Sequence, residues 1–222
     1  MLRRVLIINL ILLVLAVPQA ASAPEQVTLP GGAVLEIVKI QNPPLDTAGK
    51  ARIAGIKSVV IVPSAVSIDT IVLTGYVEQL KQKTGWTVYT PREFMRAAAE
   101  IGEMPTLEGG LTETEQNSIV RKVAGRLTAD SGLLSSLRPG DWKYYPSLLP
   151  VLLGHRWEQT GIFSMRLVGV TSESALWSQS LEYKVTLQVR GLAAANPPYP
   201  SATDIAAALV QKMIERFIAD AR

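Results

Sequence analysis

From Leu176 to Val189 the chain alternates almost without a break. Trp177, Gln179, Leu181, Tyr183, Val185, Leu187 and Val189 take one set of positions. Ser178, Ser180, Glu182, Lys184, Thr186 and Gln188 take the other. A period of two over this length belongs to a β-strand with one buried and one wet face. A chain containing such a strand must build a sheet and must cover one side of it. The preceding segments continue the pattern. Leu149, Val151, Leu153, His155 and Trp157 share a face in Leu149 to Trp157, and Phe163, Met165 and Leu167 share one in Ile162 to Val170. Short connectors at Gln159-Thr160-Gly161 and Thr171-Ser172-Glu173-Ser174 then predict an antiparallel meander. Ala202 to Ala219 has a helical stripe of Ile205, Leu209, Met213, Ile214 and Phe217 that suits the covered face. The Leu176–Val189 run is also long enough for a membrane β-strand of about 9–11 residues. Too few such segments exist for a single-chain barrel, although a ring of subunits builds one from hairpins.

The front half has a different rhythm. Lys57-Ser58-Val59-Val60-Ile61-Val62-Pro63 is a β-branched run ended by proline, which predicts a buried strand. Ser67 to Lys83 follows with helical spacing through Ile68, Val72, Leu73, Tyr76, Val77 and Leu80; Ser67 suits its start and Gly85 its end. Trp86-Thr87-Val88-Tyr89 is a second strand. Pro91 opens another helix with Phe94, Ala97, Ala98 and Ile101 on one face. Strand–helix–strand–helix predicts a parallel β-α-β unit. Thr112-x-x-Glu115 is a capping box before a stripe of Ile119, Val120, Val123, Ala124 and Leu127. Ala33 to Ile40 reads as a first strand, Gln41 to Lys50 as a loop, and Thr128 to Ser147 as a long loop holding Gly132, Pro139-Gly140 and Pro146. The fold class is α/β: a mixed sheet with a βαβα front half, an antiparallel β-meander and a C-terminal helix. One domain is expected over 24–222, with 24–56 an N-terminal extended segment and 57–220 the core.

Residues 1–23 form a targeting segment. Arg3 and Arg4 precede an apolar run from Val5 to Val17, and Ala21-Ser22-Ala23 is an A-x-A site, the layout of a signal peptide cut after Ala23. The run falls short of the roughly 20 apolar residues of a spanning helix; a retained N-terminal anchor is the alternative. Removing 1–23 takes two Arg and no acid from 22 basic and 19 acidic residues, so the remaining charge is about +1. A chain so near neutrality has no general attraction to nucleic acid.

Composition excludes several chemistries. With no cysteine there is no disulfide framework, thiolate zinc site, iron–sulfur cluster, cysteine nucleophile or cysteine-linked lipid anchor. With one histidine, His155, a His-rich metal site is also out. Lying between Leu153 and Trp157, His155 reads as a core residue. No G-x-S-x-G elbow, S-x-x-K, P-loop or G-x-G-x-x-G occurs. Neither Glu113/Glu115 nor Glu173/Glu182 forms an obvious acid/base pair. No catalytic residue, metal ligand or cofactor-binding residue is therefore assigned. The remaining candidates are Trp142, Lys143, Tyr144 and Tyr145: aromatics beside a base, suited either to recognition or to pinning a long loop to the domain.

Two stretches carry a resemblance. Lys57 to Pro63 followed by Ser67-Ile68-Asp69-Thr70-Ile71-Val72-Leu73-Thr74 resembles the opening strand and helix of a periplasmic family. That family includes the curli-secretion lipoprotein, the lipoprotein activators of penicillin-binding proteins and the amino-terminal domain of TolB. Phe163 to Thr171 and Ala175-Leu176-Trp177-Ser178 resemble its later strand pair, and the likeness spans roughly residues 57–190. It implies a protein that acts by binding and assembly, with no catalytic residues to carry over. The resulting expectation is an exported, non-catalytic accessory or scaffold of the cell envelope, in contact with envelope proteins, through Trp142, Lys143, Tyr144 and Tyr145. A periplasmic small-ligand binder or enzyme, and a subunit of an outer-membrane secretion ring, are the alternatives.

Overall fold

The computed structural model describes residues 25–41, 45, 47–63, 70–103, 111–147, 154–172, 174–189 and 197–221. The leader, Ser67, Ile68 and the Leu149–Leu153 stretch lie outside these. Among the described residues there are seven strands: β1 (Gln26–Thr28), β2 (Val34–Gln41), β3 (Ser58–Ile61), β4 (Thr87–Tyr89), β5 (Ser131–Tyr145), β6 (His155–Gly169) and β7 (Ala175–Val189). The helices are α1 (Thr47–Ala54), α2 (Thr70–Thr84), α3 (Pro91–Glu100), α4 (Glu113–Arg126) and α5 (Ala202–Ala221). All seven strands form one sheet in the order β1-β2-β7-β6-β5-β3-β4. β3 pairs in parallel with β4 and β5, and the other pairs are antiparallel. The mixed α/β sheet expected from the sequence is the one observed.

Two layers of side chains hold it together. On one face α1, α2 and α5 cover the meander. Tyr76, Leu80, Leu209, Met213 and Phe217 meet Phe163, Met165, Leu167 and the odd residues of β7. On the other face α3 and α4 lay Phe94, Ala97, Ala98, Val120, Val123 and Ala124 against Val60, Val62, Leu134 and Val168. Gly132 is required beneath α4, since a Cβ there would stand 2.2 Å from Val120 Cγ1. Helix ends follow their local chemistry. Thr90/Glu93 and Thr112/Glu115 are complete capping boxes, and Gly85 takes the left-handed conformation (φ 72°) just past α2. The second face of β7 stays polar and forms cross-strand pairs. Ser164 and Ser180 share a 2.7 Å hydrogen bond, and Lys184 and Lys39 pair with Glu36 and Glu182 at 3.5 and 3.7 Å.

Three sequence expectations need correction. The loop drawn from Gln41 to Lys50 overlaps α1, a helix with a single large buried side chain, Ile53, and so with almost no periodic signal. The loop drawn from Thr128 to Ser147 is β5, a strand of 15 residues. The connector drawn at Gln159-Thr160-Gly161 lies inside β6, which runs unbroken for 15 residues. The segment read as extended between 24 and 56 contributes β1, β2 and α1. It also supplies Leu29, Ala33, Leu35, Ile37, Ile53 and Ile56 to the first core layer. Its start is fastened to α5, where Lys212 and Arg216 reach the Glu25 carboxylate at 2.8 and 2.6 Å. Burial alone would raise the Glu25 pKa. The hydrogen bonds and charges of the two bases outweigh it and hold the carboxyl below its usual value.

Candidate functional site

The far end of the β5–β6 ladder is decided by a bulge. Up to Pro139, odd residues of β5 face odd residues of β6, and Leu133, Ser135 and Leu137 oppose Leu167, Met165 and Phe163. After the register shift between Pro139 and Trp142, Trp142 opposes Gln159 and Tyr144 opposes Trp157. The shift exchanges the faces of β5. Trp142 and Tyr144 therefore lie on the side of the first core layer. Lys143 and Tyr145 lie on the other, opposite Glu158 and Arg156. Gln159 Nε2 donates to Gly140 O at 2.8 Å and braces the bulge.

The four candidate residues thus do not form one patch. The structure splits them between two faces and adds three residues to the first. Trp142 packs on Tyr199, which comes from the segment before α5, with ring centroids 4.8 Å apart. Trp157 meets Tyr199 edge-on at 5.4 Å and Tyr144 at 4.6 Å. Tyr144 stacks obliquely on His155 at 5.5 Å, and its hydroxyl hydrogen-bonds His155 Nδ1 at 2.6 Å. His155 is half-buried on this aromatic end, not enclosed in the core as its neighbours in sequence suggest. On the opposite face the Arg156 guanidinium lies 4.8 Å from the Tyr145 ring centroid, and Arg156 Nε pairs with Glu158 at 3.3 Å.

Exposure separates the roles. Trp142 and Trp157 are half-buried and pack against the first core layer. Tyr144, Tyr145 and Tyr199 present 44%, 38% and 39% of their surface to solvent. Burial raises the pKa of the Tyr199 phenol above its ordinary value. Beneath this end three buried polar atoms have no partner among the described residues: Trp157 Nε1, Gln159 Oε1 and Tyr183 Oη. Tyr183 lies across Gly161, and burial pushes its pKa up to about 12. Its neutral ring fills the space that a side chain at 161 would take. The arrangement offers aromatic rings on one face, with an indole N–H buried among them, while Lys143 and Arg156 lie on the opposite face. Among the described residues, no group of three or more His, Asp or Glu is placed to hold a metal. No helix among them is long and apolar enough to cross a membrane. The sequence signal missed here is Tyr199 in its proline-rich setting, together with the bulge that joins it to Trp142.

No family model and no curated protein matches the chain. Solved structures are similar to it at low identity. The LpoB C-terminal domain of Salmonella enterica is 17% identical, with 60% of this chain and 84% of that one covered and a TM-score of 0.35. A lipoprotein of Neisseria meningitidis is 15% identical over 73% of this chain and 98% of that one, with a TM-score of 0.40. A PelC dodecamer of Paraburkholderia phytofirmans is 12% identical over 86% and 99%, with a TM-score of 0.38. LpoB belongs to the penicillin-binding-protein activators within the resemblance drawn from the sequence; the curli-secretion protein and TolB receive no specific support. At these values the likeness assigns neither a family nor a task.

Proposed function

We propose that this chain is an exported, non-catalytic accessory or scaffold protein of the cell envelope. It acts by protein–protein contact in envelope assembly or secretion, and its contact surface is the aromatic end of the β5–β6 ladder. One observation carries the reading: Trp142, Tyr144, Trp157 and Tyr199 gather from three chain segments, with exposed tyrosines standing on half-buried indoles. Rigid aromatics seated on a core have the composition of an interface hot spot. A tyrosine also supplies large contact area while losing little side-chain entropy on binding. The leader from Arg3 to Ala23 supports export.

The test has two parts. Fractionation with mass determination is expected to recover a periplasmic or envelope species beginning at Pro24. Affinity capture from that fraction is expected to bring down discrete envelope partners, and to fail for Trp142→Ala and Tyr144→Ala variants that keep their circular dichroism. Capture that survives both substitutions removes this surface from the account. A protein left in the cytoplasm removes the envelope role.

A further inference from the structure

Tyr199 belongs to the run Asn196-Pro197-Pro198-Tyr199-Pro200. Pro197 and Pro200 are buried, while Pro198 and Tyr199 face outward. A tight turn closes the run, with Tyr199 N–H donating to Pro197 O at 2.8 Å. The segment rests on the turn at Pro30–Gly32, where a Cβ on Gly31 would come within 3.3 Å of Pro198 O. Its far end is set by Ser201, whose hydroxyl accepts from Asp204 N–H at 3.1 Å at the start of α5. The chain therefore lays a proline-flanked tyrosine of its own across two indoles, Trp142 and Trp157.

A second, independent feature lies in the same cluster. Trp157 Nε1–H is buried and, among the described residues, has no acceptor. An indole N–H without a partner loses its hydration and gains nothing in exchange, so native structures rarely leave one so. Aromatic surfaces with an unpaired indole donor suit proline-rich segments. Pyrrolidine rings pack on the flat rings, and the extended backbone offers carbonyls with no internal hydrogen bonds. We propose that the aromatic end binds a proline-rich segment of a partner protein. The partner's rings take the place of Tyr199, and one of its carbonyls accepts from Trp157 Nε1–H. The inference rests on the contact reading given above and specifies its ligand class.

The test uses the full chain and a terminally blocked peptide, Ala-Asn-Pro-Pro-Tyr-Pro, which carries the chain's own residues 195–200 and no tryptophan. Tryptophan emission reports binding at Trp142 and Trp157; Trp86 and Trp177, packed on Phe217 at 5.7 and 5.0 Å, give a constant background. The peptide is expected to bind Tyr199→Ala saturably, and the parent more weakly because the internal tyrosine competes. Adding Trp157→Phe, which keeps a ring and removes the donor, is expected to weaken binding at least about tenfold while leaving thermal stability unchanged or higher. Absence of saturable binding to Tyr199→Ala overturns the proposal, as does unchanged affinity on Trp157→Phe. So does a chito-oligosaccharide that titrates the emission where the peptide does not. If the peptide fails while Trp142→Ala still abolishes partner capture, only the ligand class falls. If capture survives Trp142→Ala, the contact reading falls with it.

Discussion

Replacing Gly161 by alanine probes the packing on which the aromatic end is built. Gly161 lies in β6 between Arg138–Pro139 of β5 and Tyr183 of β7. A Cβ there would stand 2.5 Å from Tyr183 Oη, 2.6 Å from Tyr183 Cζ and 2.7 Å from Arg138 O. The tyrosine must give way, yet it is 1% exposed and enclosed by the core. The carbonyl belongs to the β5 backbone and moves only if the ladder beside the bulge moves. Overpacking of this kind costs about 1–3 kcal/mol, and two separate obstructions place Gly161→Ala near the top, at about 3 kcal/mol. For a domain of this size that is a Tm lower by roughly 6–12 °C. Gly75 is the control. It lies within α2, and a Cβ added there would meet nothing within 4 Å, so Gly75→Ala should stabilise by about 0.5–1 kcal/mol. Urea and thermal denaturation followed by circular dichroism measure both. A Gly161→Ala protein within about 0.5 kcal/mol of its parent would refute the packing argument.

Other outcomes follow from single contacts. Asp220 Oδ2 accepts from Trp177 Nε1–H and Gln179 Nε2–H, each at 3.1 Å, and so ties the end of α5 to β7. Asp220→Ala should destabilise by about 1–3 kcal/mol in urea melts, and Asp220→Asn, which keeps an acceptor, by less. Asp130 accepts from the Lys57 and Ser58 amides and the Ser58 hydroxyl, each at 2.9 Å, and these bonds, the Lys57 amide foremost, hold its pKa below the usual value. A carboxyl depressed on folding contributes stability above its unfolded pKa of about 3.9 and loses it as pH falls through the lower folded value. Asp130→Asn should therefore flatten that acid limb in a stability–pH series and leave its shape near neutrality unchanged.

The legible parts of the sequence were those where one period ran uninterrupted. β7 alternates because its odd residues enter one core and its even residues pair across a polar face, and nothing breaks that division. The capping box of α4 declares itself because Thr112 and Glu115 settle a helix start, and Pro91 marks the start of α3. β5 hid for a physical reason. Gly132 is present for α4 to approach, and Pro139-Gly140 for the bulge, so the strand carries the signature of a loop. Gly161 hid the continuity of β6 in the same way, since it marks the place where Tyr183 crosses the strand. The aromatic residues at 142–145 were visible as a cluster. Their division between two faces was not, because it depends on the register shift after Pro139. Tyr199 joins them from more than fifty residues away, a closeness that only the sheet order and α5 create.

The aromatic end is the proposed place where this protein meets its partner. The most direct measurement is photo-crosslinking in intact cells, with the photoreactive residue placed at Tyr144 and, as a control, at Glu78 on the exposed side of α2. A discrete adduct is expected from position 144, with its loss in the Trp142→Ala background, and none from position 78. Equal adducts from both positions, or none from 144 in cells where the protein is folded and exported, would contradict it.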